Sequence, residues 1–489
     1  MNGRQRERRN LWFYPLGTTG RDMLYVLIAN YLLTYSMFTR ELTAPQLGAI
    51  SVIMVAARLF DALNDPFMGG IIERTRSRWG KFKPWLASGA VLTSLVVIFL
   101  FNTSLNGWPF VAAFGLCYFA YSITFTMNDI AYWGMIPALS RDSGIRDQLT
   151  SRTVLCAGIG TAVASVTIPM FTTGRTALGG NARTGFGLVA LIICILAPLF
   201  QLFTLLGVKE DRVQNQNAPE PVSFRRILNA ILRNDQLLWA SLFLFLQQMG
   251  TGIISGGIAS TYIYFTFGYR GGLYSTFTIV SLSATAILMI FYPAISRRLG
   301  RKRLLHLLIL TAGLGYVLMV ASLAFGQAAA GFWVLTAGGM LGSFGQYGFC
   351  LVAILSILNT VEYNEYRFGR REETLIASLR PFVTKLSLAL SVFLTSFTYL
   401  IFNVTGYTNQ ISFLENQAAS DHITEAEKLA AIDEILSSVS RKQTAGLLLV
   451  MVLLSFGFML AAFLIYRRKY FLDEKEYDRI RRELEARKN

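Results

Sequence analysis

The chain has 489 residues, of which 53% are hydrophobic, 13% aromatic and only 15% charged. A soluble domain carries about a quarter charged residues, so this composition excludes an ordinary soluble enzyme or binding module. The formal net charge of +16 is spread over short basic runs between apolar segments. That pattern lacks the single basic patch a nucleic-acid partner requires, so no such partner is expected.

In chain order, the basic run "RQRERR" leads into "LWFYPLGTTGRDMLYVLIANYLLTYSMF". That stretch is too long for a signal-peptide core and lacks a convincing cleavage site, so it reads as the first membrane span. Apolar stretches long enough to cross a bilayer, about 20 residues each, recur to the end of the chain. They predict an all-α membrane protein with about twelve transmembrane helices, starting near residues 11, 45, 84, 108, 151, 185, 236, 274, 304, 331, 374 and 444. The connections "RTRSRWGKFK", "SRRLGRKR", "RFGRR" and "YRRK" are basic, whereas the alternate loops "NTSLNG" and "GQAAA" carry neither Lys nor Arg. This alternation follows the positive-inside rule and predicts a multi-pass plasma-membrane protein with both termini in the cytoplasm. Cys117, Cys156, Cys194 and Cys350 all sit in apolar runs without metal-binding or disulfide spacing, and read as small residues of the membrane core.

The polar segment 208–235, with its turn-forming "APEP", divides the chain. Residues 1–207 then form an N-terminal six-helix bundle, 208–235 a cytoplasmic middle loop, 236–466 a C-terminal six-helix bundle and 467–489 a charged cytoplasmic tail helix. A repeat supports the division: "RWGKF" at 78–82 and "RLGRK" at 298–302 are 220 residues apart, after the second and eighth spans. Basic Gly-containing turns at equivalent places in two halves predict duplicated bundles about a pseudo-two-fold axis, with a cavity between them. The long loop at about 404–443 is assigned to the outside. In it Thr424 and Glu427 have capping-box spacing, and Leu429, Ile432 and Leu436 follow at helical spacing, which predicts a short amphipathic covering helix.

The second span contains "ARLFDALNDPFMGG". Its Asp61 and Asp65, at i and i+4, lie on one helix face about 6 Å apart at Cβ. Each carboxylate costs roughly 2.5–3.5 kcal/mol inside a membrane on insertion scales, so something must neutralise the pair. The fourth span adds Asp129, with Thr126 and Trp133 about one turn to either side. Asp61, Asp65 and Asp129, with Asn64 and Thr126, offer only oxygen ligands, which suits Na+ or Li+, or else a proton. Pairing of Asp61 with Arg58, or of Asp129 with Lys385, is the structural alternative. No Ser-His or metal-ligand set of an enzyme is present, so the chain is read as a transporter and not an enzyme.

The run "FDALNDPFMGGIIERTRSRWGKFKPW" is similar to the signature of the glycoside-pentoside-hexuronide:cation symporter family. "TGRDM", "MNDIAYW", "VEYNEY" and Lys385 follow in the family's order. The resemblance covers nearly the whole chain and implies a major-facilitator fold that couples sugar movement to Na+, Li+ or H+. It also implies a cation site of Asp61, Asn64, Asp65, Thr126 and Asp129, and a sugar site of Asp22, Asp129, Trp133, Lys385 and, after a spacing adjustment, Arg152. Carboxylates accept paired bonds from vicinal hydroxyls and an indole packs on a pyranose face.

The chain departs from the family pattern at Phe125, at the pair Arg380 and Pro381, and at Asn359. Arg380, if it borders the cavity, adds a positive charge that favours an anionic sugar. The expected partners are thus a sugar, a coupling cation and the lipid bilayer, with no cofactor and a monomeric state. A carrier of lysolipids or other amphiphiles on the same fold is the alternative.

Overall fold

A computed structural model of the chain describes residues 3–140, 142–209, 233–369 and 373–488. The expected middle loop at 208–235 lies almost wholly outside the described residues, as do Arg370 and Arg371 of "RFGRR". Among the described residues all regular structure is helical, and ten helices are long and apolar enough to cross a membrane.

The chain divides into two compact units. The first comprises Met1–Pro221, Tyr269–Ser275 and Val404–Ser438. Its long helices are α1 (Gly3–Thr39), α2 (Ala44–Arg74), α3 (Lys83–Asn102), α4 (Gly107–Leu139), α5 (Ser143–Thr172) and α6 (Ala182–Gly207). Local sequence sets their ends. Thr43 and Gln46 form a capping box at the start of α2, with Pro45 in the first turn where its missing N–H costs nothing. Asp142 caps α5 by accepting from the Gly144 N–H at 2.7 Å.

Small residues let the helices of this unit approach closely, the usual device where lipid removes the hydrophobic drive between helices. A Cβ on Gly20 of α1 would lie 2.7 Å from the Ala197 Cα of α6, and one on Gly160 of α5 would lie 2.2 Å from the Thr19 carbonyl oxygen. α1 is therefore clamped between α5 and α6 at the level of Arg21 and Asp22. A core of Tyr14, Phe82, Leu86, Met127, Tyr132 and Met135, among others, lies beside that level.

The second unit comprises Val222–Gly268, Thr276–Asn403 and Val439–Asn489. α7 (Asp235–Ile253) runs into a π-helical stretch, Ile254–Tyr262, and then the short α8 (Ile263–Phe267). Thr261 donates to the Tyr399 hydroxyl at 2.7 Å, and Tyr399 donates to the Gly256 carbonyl at 3.3 Å, bridging the widened turn. α9 (Gly271–Ala321) joins the expected eighth and ninth spans as one run that breaks at Gly300. α10 (Ala329–Phe368), α11 (Glu373–Ile401) and α14 (Arg441–Lys469) complete the long helices.

Gly300 has φ +70° and Gly80 has φ +104°. Both glycines of the "RWGKF"/"RLGRK" repeat therefore occupy backbone that other residues avoid, so the repeat is one of conformation as well as composition.

Outside the spans, α12 (Val404–Ala419) was not legible in the sequence, whereas α13 (Glu425–Ser438) is the expected amphipathic helix. Thr424 caps α13: the Glu427 N–H donates to the Thr424 hydroxyl at 3.3 Å, and Glu427 accepts from the Thr424 N–H at 2.8 Å. The charged tail is α15 (Glu474–Lys488).

Candidate functional site

The candidate residues of the first unit converge through α1, α2 and α4. On α1 the Arg21 guanidinium donates to Asp22 at 3.1 Å and, across to α4, to Asp129 at 2.9 Å. The Thr18 hydroxyl, one turn earlier, also donates to Asp22. Arg21 is buried, with its cation 4.8 Å from the Tyr132 ring centroid and 5.6 Å from that of Trp133. Cation–π contact of this kind offsets part of the desolvation of a buried guanidinium. Tyr132 is held in turn: its hydroxyl donates to the Tyr14 carbonyl, the Tyr14 hydroxyl donates to the Tyr132 carbonyl, and the rings stack at 4.6 Å.

Asp22 and Asp129 are not fully enclosed; their side chains keep 18% and 33% of their exposure. Trp133 is half-buried beside them. The result is two carboxylates sharing one cation next to an indole. It is a polar pocket wall that can accept from and donate to adjacent hydroxyls while an aromatic face covers the apolar side of a ring. The Arg21 Nε is buried and has no protein acceptor, so one donor of this cluster is not consumed by the fold.

The second cluster joins α2 and α4. Asp61 is buried, 3.2 Å from Arg58, and accepts from the Ser122 hydroxyl. Arg58 also lies 5.7 Å from the Tyr118 ring. Asp65 is half-buried and accepts from the Thr126 hydroxyl at 3.0 Å. Asn64 is buried between these turns with its amide nitrogen lacking a partner. Leaving a buried amide donor unmade costs about 1–3 kcal/mol. The donors of this cluster are all oxygens, which fits a hard monovalent cation or a proton.

Asp61, Asp65 and Asp129 do not gather at one point, and among the described residues no group of three acidic, Cys or His side chains is placed to hold a metal ion together. Asp129 faces Arg21, Asp61 faces Arg58, and Asp65 faces Thr126. The Arg58–Asp61 pairing is the structural alternative foreseen for that acid. Arg152 lies elsewhere on α5: it donates to the Leu11 carbonyl at 3.2 Å and sits 4.8 Å from the Trp12 ring. Lys385 and Arg380 belong to α11 of the second unit, where Lys385 is half-buried and Arg380 exposed.

Arg21, Ser122 and Tyr118 were missed by the sequence reading. Arg21 stands inside the quoted "TGRDM", and a buried basic residue adjacent to a candidate acid was the available signal.

Residues 13–425 match a family model described as "MFS/sugar transport protein". The lactose permease of Lactobacillus helveticus is 28% identical over 80% of this chain and 62% of its own length. The chain thus spans about three fifths of that relative. The uncharacterized symporter YnaJ of Bacillus subtilis (strain 168) is 27% identical over 97% of this chain and 94% of its own length. Among solved structures, a D-xylose-proton symporter superposes with a TM-score of 0.59 at 14% identity, over 90% of this chain and 98% of that one. The last likeness is one of fold: the helices have the major-facilitator arrangement.

Proposed function

The chain belongs to the MFS/sugar transport protein family, and we propose that it carries a sugar (a glycoside, pentoside or hexuronide) across the plasma membrane together with a cation, by alternating access. The observation that carries this reading is the Arg21 bridge between Asp22 and Asp129 with Trp133 alongside. Sugar hydroxyls exchange into that bridge, accepting from Arg21 and donating to the two carboxylates, and Trp133 takes the ring face. Lys385 and Arg380 add the remaining positive charge of the sugar site, and Arg152, engaged with Leu11 and Trp12, is left out of it.

The coupling cation, Na+, Li+ or H+, is co-transported cargo held by Asp61, Asn64, Asp65 and Thr126, with Asp129 as the residue common to both ligands. Asp129 and Thr126 lie on one helix, one turn apart. Cation binding at Asp65 therefore alters the position of Asp129 through α4, and a ligand that binds one conformation better shifts the population toward it. In this reading the chain is organised as two bundles, 1–207 and 236–466, with both termini in the cytoplasm. The names of the relatives, a lactose permease and a symporter, agree with this assignment.

The test is uptake by the purified full chain in proteoliposomes, with a panel of neutral and anionic glycosides under separate Na+, Li+ and H+ gradients. Gradient-driven accumulation of at least one sugar is expected. Downhill movement of amphiphiles with no sugar accumulation under any gradient overturns the proposal.

A further inference from the structure

The segment between the last two long helices is continuous with the second unit at both ends, at Asn403 and at Val439, yet packs wholly within the first. Asn403 and Asp421, with φ of 52° and 56°, set the bends before and after α12. Both are residue types that tolerate left-handed backbone. Asn409 of α12 holds the Leu42 backbone on both sides, accepting from its N–H at 2.8 Å and donating to its carbonyl at 2.9 Å. Asn416 donates to the Thr39 carbonyl at 3.4 Å.

At the centre of the segment, Glu415 of α12 and Lys428 of α13 form an ion pair at 3.2 Å with neither side chain exposed. Glu415 also accepts from the Ala182 N–H, the first residue of α6, at 2.6 Å, and Lys428 donates to the Gly180 carbonyl at 2.5 Å. Burial pushes the Glu415 carboxyl upward, against Lys428 and the Ala182 N–H, which pull it down. A second tie lies alongside: Ser275, in the first turn of α9, donates to the Val166 carbonyl at 2.7 Å.

A buried ion pair adds little net stability relative to its solvated partners, but it demands one geometry. The bonds of this pair to the Ala182 N–H and the Gly180 carbonyl form only when α12 and α13 are seated there, and lifting the segment would leave Glu415 and Lys428 with each other alone. We infer that Val404–Ser438 is a strap that must lift from α1 and α6 during transport, with Glu415 and Lys428 as the lock that holds it down. The inference rests on the alternating-access reading above, in which the helices that carry the strap, α11 and α14, change position.

Glu41 and Gln410 face one groove of about 640 Å³ beside the strap and outside the lock. In the full chain in proteoliposomes, the variant Glu41→Cys, Gln410→Cys is joined by a short bis-maleimide. The strap predicts that uptake and exchange are lost on cross-linking and normal without it; wild-type exchange in the cross-linked protein overturns the latch. Hydrogen exchange on the variant Glu415→Gln, Lys428→Met, which removes both charges at once, gives a readout that needs no substrate. Faster exchange confined to 404–438 is expected, and unchanged exchange there overturns the latch. Failure of the unmodified chain to move any sugar counts against the sugar reading alone, and the exchange measurement then decides the latch.

Discussion

Arg21 and Asp129, 108 positions apart in the chain, meet at 2.9 Å, and the same guanidinium holds Asp22 at 3.1 Å. The local charge of this trio is −1, one cation against two carboxylates. A neutral sugar can replace part of the bridge without loss of charge balance, because hydroxyls both donate and accept. The bridge is therefore an exchangeable contact and not only a brace.

Arg21→Gln should abolish sugar uptake while leaving a folded protein of lower stability. Losing bonds to a charged group costs about 1.5–3 kcal/mol, read as a lower midpoint of thermal unfolding in detergent. Arg21→Lys should restore part of the stability and little of the transport, since an ammonium cannot span two carboxylates as a planar fork does. Uptake at the wild-type level in Arg21→Gln would remove the bridge from the sugar site.

The two acids of the second span should respond differently to neutralisation. Asp61 is buried against Arg58, so Asp61→Asn leaves a buried guanidinium without its counter-charge and costs about 3–5 kcal/mol. Asp65 is half-buried and takes a neutral hydroxyl from Thr126. Asp65→Asn keeps an oxygen toward Thr126 and should leave a folded protein, yet eliminate cation-stimulated uptake. Cation stimulation equal to wild type in Asp65→Asn, measured at saturating sugar, would exclude Asp65 from the cation site.

What was legible in the sequence follows from what is local. The capping box at Thr424, the tail helix, the basic glycine turns and the acids of the second and fourth spans are patterns within a few residues, and each appears in the structure. The partners of those acids are not local. Arg21 meets Asp129 only because Gly20 and Gly160 let α1 sink between α5 and α6. Glu415 and Lys428 sat in a stretch whose polarity suggested only a loop and one covering helix, and their pairing depends on the turn at Asp421. The π-helical stretch at Ile254–Tyr262 has no periodicity that distinguishes it from an ordinary apolar helix.

The tail helix offers a test by pH. Burial alone would raise the Asp473 carboxyl, but bonds from Lys302, at 2.9 Å, and from the Glu476 and Lys475 N–H groups outweigh it and hold it below 3.8. A lowered carboxyl contributes stability that is present above the unfolded value and lost as pH falls through the folded one. Docking of α15 should thus be unchanged at neutral pH and weaken only below about pH 4. Proteolysis of the tail as a function of pH measures this, and Asp473→Asn should show the acid behaviour at neutral pH. A tail equally protected in that variant would assign its docking to Tyr470, whose hydroxyl donates to the Ser356 carbonyl at 2.9 Å.

The charge of the sugar turns on Arg380. It precedes Lys385 by five residues, so the two project from α11 about 140° apart at 3.6 residues per turn. Arg380 is exposed and sits at the start of the apolar stretch Leu379–Ile401 of α11. Cations on membrane helices face a polar interior or reach the headgroups, and an interior-facing Arg380 adds positive charge to the sugar site. An anionic sugar should therefore compete for binding better than its neutral analogue, by the roughly ten- to hundredfold that a charged hydrogen bond supplies. Arg380→Gln should erase that preference and spare the neutral ligand. Competition indifferent to sugar charge in the unmodified protein would instead place Arg380 toward lipid and identify the substrate as a neutral glycoside.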